Sequence, residues 1–204
     1  MGCAKKAFAS RGFYGTSISQ IVKEAGIARG TFYQYFDNKL HIFQSILDAF
    51  LQDLQDCIRP VSLAHGAPPP LVQIQDNLTR VLDMVLKEKE LTQMLLHHAS
   101  PLDRTVEKRL TDFYSQVAQM IERSLMLGIS MRLVRPCNAR LTAYSIIGAV
   151  KEVIFQITSA EETRQIGVGD PPVAELVREL LEFGMGGILV KSRESLMETG
   201  SSAR

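Results

Sequence analysis

Apolar residues recur at helical spacing along nearly the whole chain, and no alternating strand pattern persists. The clearest local pattern lies at residues 16–36, where two short amphipathic segments meet at Gly26, a residue type that permits the left-handed turn ending a helix. The first segment carries one apolar face, formed by Ile18, Ile21, Val22 and Ala25. The second, Ala28 to Phe36, places Phe32 and Phe36 four residues apart for burial. This arrangement predicts a helix-turn-helix.

Longer amphipathic segments separated by proline and glycine follow this pair. They are predicted as helices running from Asn38 toward Ile58, Leu71 to Leu86, Leu91 to His98, after Pro101 to about Leu127, Ala139 to Thr158, and from Val173 onward. We therefore predict an all-α protein with three parts. A helix-turn-helix head occupies residues 1–45, a helical body occupies residues 46–190, and a polar tail occupies residues 191–204.

The last two predicted helices differ from the others: Ala139 to Thr158 is apolar almost all round, and both helices contain glycines. A helix of that kind is buried on more than one side, and glycine within it permits close packing against another helix. Two such helices from each of two chains would form a four-helix bundle across a two-fold axis. The predicted interface of this homodimer comprises Ile147, Gly148, Phe155, Leu176, Leu180, Phe183, Gly184 and Gly187.

The second short segment carries side chains suited to reading DNA on the faces away from its phenylalanines. Arg29 can bond a guanine edge bidentately, Gln34 can pair with adenine, and Thr31 can touch a thymine methyl or a phosphate. The hydroxyls of Tyr33 and Tyr35 can reach phosphate oxygens. Gly30 allows close backbone approach, and at least one of the two tyrosines must be exposed because both cannot share the phenylalanine face.

Helix caps frame both segments. Either Thr16 or Ser17 can cap the first helix, and either Asp37 or Asn38 can cap the helix that follows the second. The free N–H groups at that later helix start attract a phosphate, and Lys39 adds positive charge there.

The stretch GF-GTSISQIVKEAGIARGTFYQYFDNK resembles the TetR family of bacterial transcriptional regulators. The similarity covers about the first 50 residues. It implies an all-α homodimer that blocks transcription until a small ligand binds its C-terminal domain. It also implies DNA contacts at positions matching the family's usual sites, namely Ser17, Arg29, Gly30, Thr31, Tyr33, Gln34, Tyr35 and Lys39. Family members usually have another turn or more of helix before this stretch, so either the start has been trimmed or the first helix is short.

The family layout also implies a ligand pocket among the middle helices. Candidate lining residues are Phe50, Met94, His98, Phe113, Tyr114, Val117 and Tyr144. Methionines and aromatics with few charges suit an apolar or aromatic effector. Each of these residues is also an ordinary core candidate.

The distribution of charge along the chain is consistent with DNA binding by the head. Residues 1–47 hold six Lys and Arg against two carboxylates, whereas the rest of the chain carries three more acidic than basic residues. The three cysteines are odd in number and show no metal spacing, which favours a reducing cytoplasm; Cys57 and Cys137 are predicted as plain buried thiols, with a redox sensor as the alternative. No apolar run was expected to span a membrane.

No nucleophile elbow, phosphate loop or metal-ligand spacing is present in the sequence, so neither an enzyme nor a cofactor or metal is predicted. The leading hypothesis is a ligand-responsive repressor that binds a palindromic DNA operator as a homodimer. A transcriptional activator of the same fold and a helical adaptor that does not bind DNA are the alternatives.

Overall fold

The computed structural model describes residues 1–97, 103–159 and 171–188, and in these ranges the chain is helical with no strand. The helices are α1 (Gly2–Arg11), α2 (Ile18–Ala25), α3 (Arg29–Tyr35), α4 (Lys39–Cys57), α5 (Pro70–Lys87), α6 (Lys89–His97), α7 (Arg104–Ser130), α8 (Ala139–Thr158) and α9 (Val173–Ile188). The all-α prediction is confirmed. The polar tail, residues 191–204, lies outside the described ranges.

The predicted helix boundaries are close to the observed ones, with one clear exception. The predicted helices ending at Leu86 and beginning at Leu91 leave residues 87–90 as a junction, but α5 continues through Lys87 and α6 begins at Lys89. Only Glu88 separates the two helices. Thr92, in the first turn of α6, is buried and its hydroxyl donates to the Val85 carbonyl at 3.1 Å. That bond holds the start of α6 against the end of α5, so a long junction is unnecessary.

Three phenylalanine rings join α1, the loop after it and α4. The ring centroids of Phe8 and Phe43 lie 5.5 Å apart, those of Phe13 and Phe43 lie 5.1 Å apart, and those of Phe8 and Phe13 lie 5.9 Å apart. We call this cluster the aromatic junction. Phe8 and Phe43 are fully buried, and edge-to-face contacts such as theirs add about 0.5–1.5 kcal/mol to the burial of each ring.

One hydrophobic core runs from the head into the body without interruption. It includes Phe32 of α3, the buried face of α4, and residues of α5, α6, α7, α8 and α9. The boundary predicted at residue 45 therefore falls inside α4, a single helix that belongs to both parts. Polar contacts also cross between them, since the Lys5 ammonium of α1 lies 3.1 Å from the Glu88 carboxylate.

The loop between α1 and α2 is held by buried polar contacts rather than by apolar packing alone. Thr16 is 1% exposed, and its hydroxyl lies 3.0 Å from the Ala7 carbonyl and 2.8 Å from the Gly12 carbonyl. Gly15 is required next to it, because a Cβ there would lie 2.3 Å from the Arg11 carbonyl oxygen. Of the two predicted caps, Ser17 therefore caps α2 and Thr16 anchors the loop to α1.

We expect Thr16→Val to lower the free energy of unfolding by about 1 kcal/mol, because it removes the hydroxyl proton shared by two carbonyls at almost constant volume. Urea unfolding followed by circular dichroism measures this change. Thr79→Val is the matched control, since the Thr79 hydroxyl bonds only the Gln75 carbonyl within its own helix. Equal stability of the two variants would show that the Thr16 hydroxyl does not anchor the loop.

Candidate nucleic-acid interface and internal cavity

The turn between α2 and α3 is fixed by local hydrogen bonds at both ends of α2. At the start, the Gln20 N–H donates to the Ser17 hydroxyl at 3.2 Å and the Ser17 N–H donates to the Gln20 side-chain oxygen at 2.8 Å, forming a capping box. At the end, Gly26 adopts the left-handed conformation with φ 63°, and the Ile27 N–H returns to the Val22 carbonyl at 3.1 Å. The predicted helix-turn-helix is confirmed.

Helix α3 buries one face and presents the other to solvent. Phe32 is buried, Phe36 is half-buried just after the helix, and their ring centroids lie 5.5 Å apart. Both tyrosines are on the outside, Tyr33 being 45% and Tyr35 71% exposed. The other predicted DNA contacts on α3 are also accessible: Arg29, Gly30 and Gln34 are exposed and Thr31 is half-buried.

Two of the exposed groups on α3 already contact each other. The Arg29 guanidinium donates to the Tyr33 hydroxyl at 3.5 Å and lies 5.8 Å from the centre of the Tyr33 ring. The pair is one helical turn apart, so each side chain restricts the rotamers of the other. An arginine partly ordered in this way loses less conformational entropy when it meets a base edge or a phosphate.

Lys39 has a structural role that its sequence position alone did not show. Its ammonium donates to the Phe13 and Thr16 carbonyls, each at 2.8 Å, and lies 4.4 Å from the centre of the Phe13 ring. Two of its three N–H donors are therefore used inside the protein. Lys39 ties the start of α4 to the loop between α1 and α2, and only the remaining donor is available for a phosphate.

The other polar groups near the start of α4 are arranged as caps. Asn38 is the cap, with its side-chain oxygen accepting from the His41 N–H at 2.9 Å. The Asp37 carboxylate lies 3.2 Å from the His41 ring nitrogen. Ser17 remains exposed beside its capping partner, so a phosphate contact there stays a prediction.

Tyr14 is an accessible aromatic residue that the sequence interpretation did not single out. It is 79% exposed and packs edge-on against Phe13, with ring centroids 5.5 Å apart. It lies in the loop between α1 and α2, three residues before the Ser17 cap. An aromatic residue in a glycine-bounded loop, Gly12 to Gly15, was the available signal.

A cavity of about 780 Å³ lies in the body of the protein between α4, α5, α7, α8 and α9. This volume is within the range of about 300–1,000 Å³ typical of small-molecule sites. Its walls are mainly apolar, and α4 reaches it only through its C-terminal end, at Leu54, with Ile58 just beyond the helix. Three predicted lining residues, Phe113, Tyr114 and Val117, are found there.

Three other predicted lining residues are not part of this cavity. Phe50 is buried one turn before Leu54, nearer the head, and Met94 is buried on α6, which contributes no described residue to the cavity wall. Tyr144 is exposed on the outer face of α8. The prediction was therefore wrong for these three, because helical spacing identifies a buried face but not the neighbour that covers it. His98 lies outside the described residues.

Burial changes the ionisation of two groups near the cavity. Desolvation raises the pKa of the Tyr114 phenol, so this hydroxyl remains a neutral hydrogen-bond donor. Desolvation also raises the pKa of the Cys57 thiol, an effect that Arg80 partly offsets and Asp53 and Asp56 reinforce. A raised pKa disfavours the reactive thiolate, which supports the interpretation of Cys57 as a plain thiol.

The predicted dimer-interface residues divide into two groups. Gly148, Phe155 and Phe183 are exposed, Phe183 at 76%, and they form part of an outer face with Leu141 and Tyr144. The remaining described side chains point inward: Leu176 is 8% exposed, Leu180 packs on the core, and Ile147 and Gly184 line the cavity. These residues also cover the core of their own chain, and their part in a dimer interface stays a prediction. Gly187 lies within α9.

Helix α8 requires a second correction. Its length and composition, with a mean hydropathy of 1.2, would allow it to cross a membrane, contrary to the expectation that no run of the sequence does so. A soluble core helix satisfies the same test. α8 packs along α7 and also contacts α5, α6 and α9, and it carries Lys151 and Glu152 near its middle.

The protein has an exposed, polar recognition helix in a helix-turn-helix head, and this head is joined to a helical body that contains a large cavity. These features define it as a helix-turn-helix transcriptional regulator. Residues 3–46 match the family model described as bacterial regulatory proteins, tetR family. Over these residues the chain belongs to the TetR family of bacterial transcriptional regulators.

Similar proteins agree with this assignment. The chain is 23% identical to the uncharacterised HTH-type transcriptional regulator YhgD of Bacillus subtilis, over 74% of this chain and 78% of that protein. NalD of Pseudomonas aeruginosa has a similar fold, with a TM-score of 0.72, 18% identity, and coverage of 93% of this chain and 94% of that one. FadR of Bacillus subtilis in complex with stearoyl-CoA gives a TM-score of 0.68 at 19% identity, covering 91% and 96% of the two chains.

We expect Lys39→Met to destabilise the head and to weaken DNA binding more than loss of one phosphate contact would. The substitution leaves two loop carbonyls without their ammonium donor, at a cost of about 1–3 kcal/mol. Thermal unfolding followed by circular dichroism, with DNA binding measured by fluorescence anisotropy, tests both effects.

Lys23→Met is the control for this prediction, because Lys23 is an exposed cation at the end of α2. If Lys39→Met unfolds at the temperature of Lys23→Met, the contacts of Lys39 with the Phe13 and Thr16 carbonyls do not stabilise the head.

Proposed function

We propose that the protein is a ligand-responsive repressor that binds a palindromic DNA operator as a homodimer in the cytoplasm and leaves it when a small molecule occupies the cavity. The observation that carries this proposal is the exposed Arg29–Tyr33 pair on α3, a helix whose opposite face is buried in the core. A helix held this way can enter the major groove without losing its own packing.

The proposed DNA contacts divide by type. Arg29 and Gln34 are proposed to read base edges, and Thr31 is placed to touch a thymine methyl or a phosphate. Tyr33, Tyr35, Ser17 and the free donor of Lys39 are proposed to bind phosphates, and Gly30 lets the backbone approach. Phosphate contacts set the register on the duplex, whereas base contacts specify the sequence.

Helix α4 is the proposed link between the cavity and the head. Its first residue, Lys39, holds the loop before α2, and its last turn contributes Leu54 to the cavity wall. A ligand that displaces the C-terminal end of α4 therefore moves the head. A coupling free energy of roughly 1–3 kcal/mol would change DNA affinity about 5- to 150-fold.

Polar contacts connect α4 to α7 along its length. Arg109 pairs with Asp48, the Gln44 amide donates to the Thr105 hydroxyl, and the Gln55 amide donates to the Gln116 side-chain oxygen at 3.0 Å. The paired positions are always 61 residues apart, which means that the two helices run in parallel and in register. Since α7 also lines the cavity, α4 and α7 are expected to respond to a ligand together.

The homodimer is supported by the outer faces of α8 and α9. Leu141, Tyr144, Gly148 and Phe155 follow one another at helical spacing on α8, and Phe183 protrudes from α9. A Cβ added at Gly148 or Gly186 would meet no atom of the chain within 4 Å, so packing within one protomer does not require these glycines. Close approach of a second copy accounts for both the glycines and the exposed aromatic side chains.

The printed names of two proteins of similar fold are consistent with the proposal. NalD is described as a secondary repressor of a multidrug efflux pump, and FadR of Bacillus subtilis was solved with bound stearoyl-CoA. These descriptions apply to those proteins. For this chain they support repression and a cavity that accepts small molecules.

The DNA-binding test begins with selection of bound sequences from random DNA, which identifies the operator. We expect a palindrome with half-sites about 34–36 Å apart or a multiple of this distance. Arg29→Ala should weaken binding to the selected sequence about 5- to 150-fold, since a good side-chain contact with a base contributes roughly 1–3 kcal/mol. Tyr33→Ala should weaken it as well, because it removes a proposed phosphate contact and the partner of Arg29. Affinity should also fall steeply with salt.

Arg123→Ala is the control, because it removes an exposed cation from α7, away from the head. If Arg29→Ala and Tyr33→Ala bind as tightly as this control, α3 is not the recognition helix. Failure to select any sequence would favour the helical adaptor instead. A reporter gene placed behind the operator distinguishes repression from activation.

We expect Phe183→Asp to raise the dissociation constant of the homodimer by at least about tenfold, because the symmetric interface would contain two buried copies of the ring and each contributes roughly 1.5–3 kcal/mol when fully buried. Sedimentation equilibrium measures this constant. Val72→Asp is the control, since Val72 is an exposed apolar residue on α5. A dimer unaffected by Phe183→Asp would exclude this face of α9 from the interface.

A further inference from the structure

We infer that the effector is an amphipathic anion, with an apolar body inside the cavity and a carboxylate or phosphate head that binds its cationic side chains. This inference rests on the proposed function, in which the cavity is the effector site. The juxtaposition that carries it is an apolar chamber whose ionised side chains, among the described residues, are all cationic.

The chamber itself selects for an apolar body. Its wall combines aliphatic, aromatic and methionine side chains from five helices, and its volume is about 780 Å³. The apolar lining residues include Leu54, Ile74, Leu78, Val117, Met120 and Ile154. An apolar ligand body gains free energy in proportion to the area that it removes from water.

Two polar residues in the lining already use their side chains within the protein. The Asn77 side chain accepts from the Arg59 N–H at 3.0 Å and donates to the Arg59 carbonyl at 2.8 Å. Arg80 also donates to its oxygen. The Ser124 hydroxyl donates to the Met120 carbonyl at 3.1 Å. Asn77 thus fixes the backbone of Arg59, and Ser124, whose proton is already donated, offers a ligand only its oxygen lone pairs.

The polar groups that remain are donors. Arg59, Arg132 and Lys151 line the cavity and are exposed, so they lie where it opens to solvent. Within the described residues none of the three has a carboxylate partner. The Tyr114 hydroxyl has no hydrogen-bond partner there either, and the Lys151 ammonium lies 5.6 Å from the centre of its ring.

No Asp, Glu or His of the described chain lines the cavity, so its ionisable groups are three cations and one neutral phenol. Guanidinium and ammonium groups donate hydrogen bonds and accept none. A ligand that supplies acceptors and negative charge forms charge-assisted bonds with them, which are about twice as strong as neutral ones. A cationic ligand would meet like charges and no acceptor carboxylate.

The backbone fixes the position of Arg132 in the turn that ends α7. Arg132 has φ 61°, and it is the non-glycine residue with positive φ in the described parts of the chain. This left-handed conformation is costly for a residue with a Cβ and favours glycine or asparagine. The turn ends α7 through hydrogen bonds from the Arg132 N–H to the Ile129 carbonyl and from the Leu133 N–H to the Gly128 carbonyl, and it leaves the Arg132 side chain at the cavity.

The first part of the test compares four probes of equal chain length on the full chain. Decanoate and decyl phosphate carry anionic heads, methyl decanoate is neutral, and decyltrimethylammonium is cationic. Isothermal titration calorimetry at low salt should give dissociation constants for the better anion at least about tenfold below those of the ester and the ammonium. The anion with the lower dissociation constant identifies the preferred head group.

The second part of the test identifies which cationic side chain binds the anionic head group. Arg59→Gln, Arg132→Gln and Lys151→Gln each remove a charge while keeping a long polar side chain. At least one should weaken the better anion about tenfold and leave methyl decanoate unchanged. Lys108→Gln, an exposed position on α7 outside the lining, is the control and should change neither. Thermal unfolding of each variant without ligand verifies that it is folded.

Three results would overturn the inference. The first is equal or tighter binding of the ester or the ammonium, and the second is an anion preference that survives all three cavity substitutions. The third is failure of both anions to bind. Release of operator DNA is measured separately by anisotropy. If the anions bind through these residues but DNA is not released, the inference stands and ligand control of DNA binding fails.

Discussion

The attachment of α4 to the loop before α2 is the constraint on which the rest of the structure depends. Three phenylalanine rings of the aromatic junction meet there. The Lys39 ammonium lies over the Phe13 ring and donates to two carbonyls of the loop. Ring packing resists separation of the elements, whereas the two directional hydrogen bonds fix their relative orientation. Through α2 and its left-handed end at Gly26, that orientation is passed on to α3.

This attachment explains why one helix can serve two functions. A flexible connection between head and body would absorb any displacement of α4, and the head would keep its position on DNA. The continuous core and the aromatic junction instead make the beginning of α4 rigid with the head. The same helix ends at the cavity wall, so in the proposed mechanism a small displacement at Leu54 is carried to α3 rather than lost between them.

The sequence predicted the features that depend on local spacing. The apolar face of α2, the split between buried Phe32 and exposed Tyr33, and the glycine turn all follow from positions within one or two turns of helix. Features that depend on which helix covers another were not predictable in the same way. Periodicity marked Phe50 and Met94 as buried, but only the fold shows that neither lines the cavity. Lys39 was identified as a cation near DNA, and its carbonyl partners lie more than twenty residues earlier in the chain.

Charge is distributed differently inside and outside the body of the molecule. Beyond residue 47 the chain has three more acidic than basic residues, yet no carboxylate of the described residues lines the cavity, whose ionised side chains are all cationic. The acidic residues that the structure describes therefore lie on other surfaces, where they disfavour DNA binding by the body and leave the basic head as the preferred contact. An anionic effector would reach its cations without competing for those of the head. Release of DNA would then come from displacement of α4 and not from neutralisation of the DNA-binding surface, so a tightly bound anion that leaves α4 in place would leave the operator occupied.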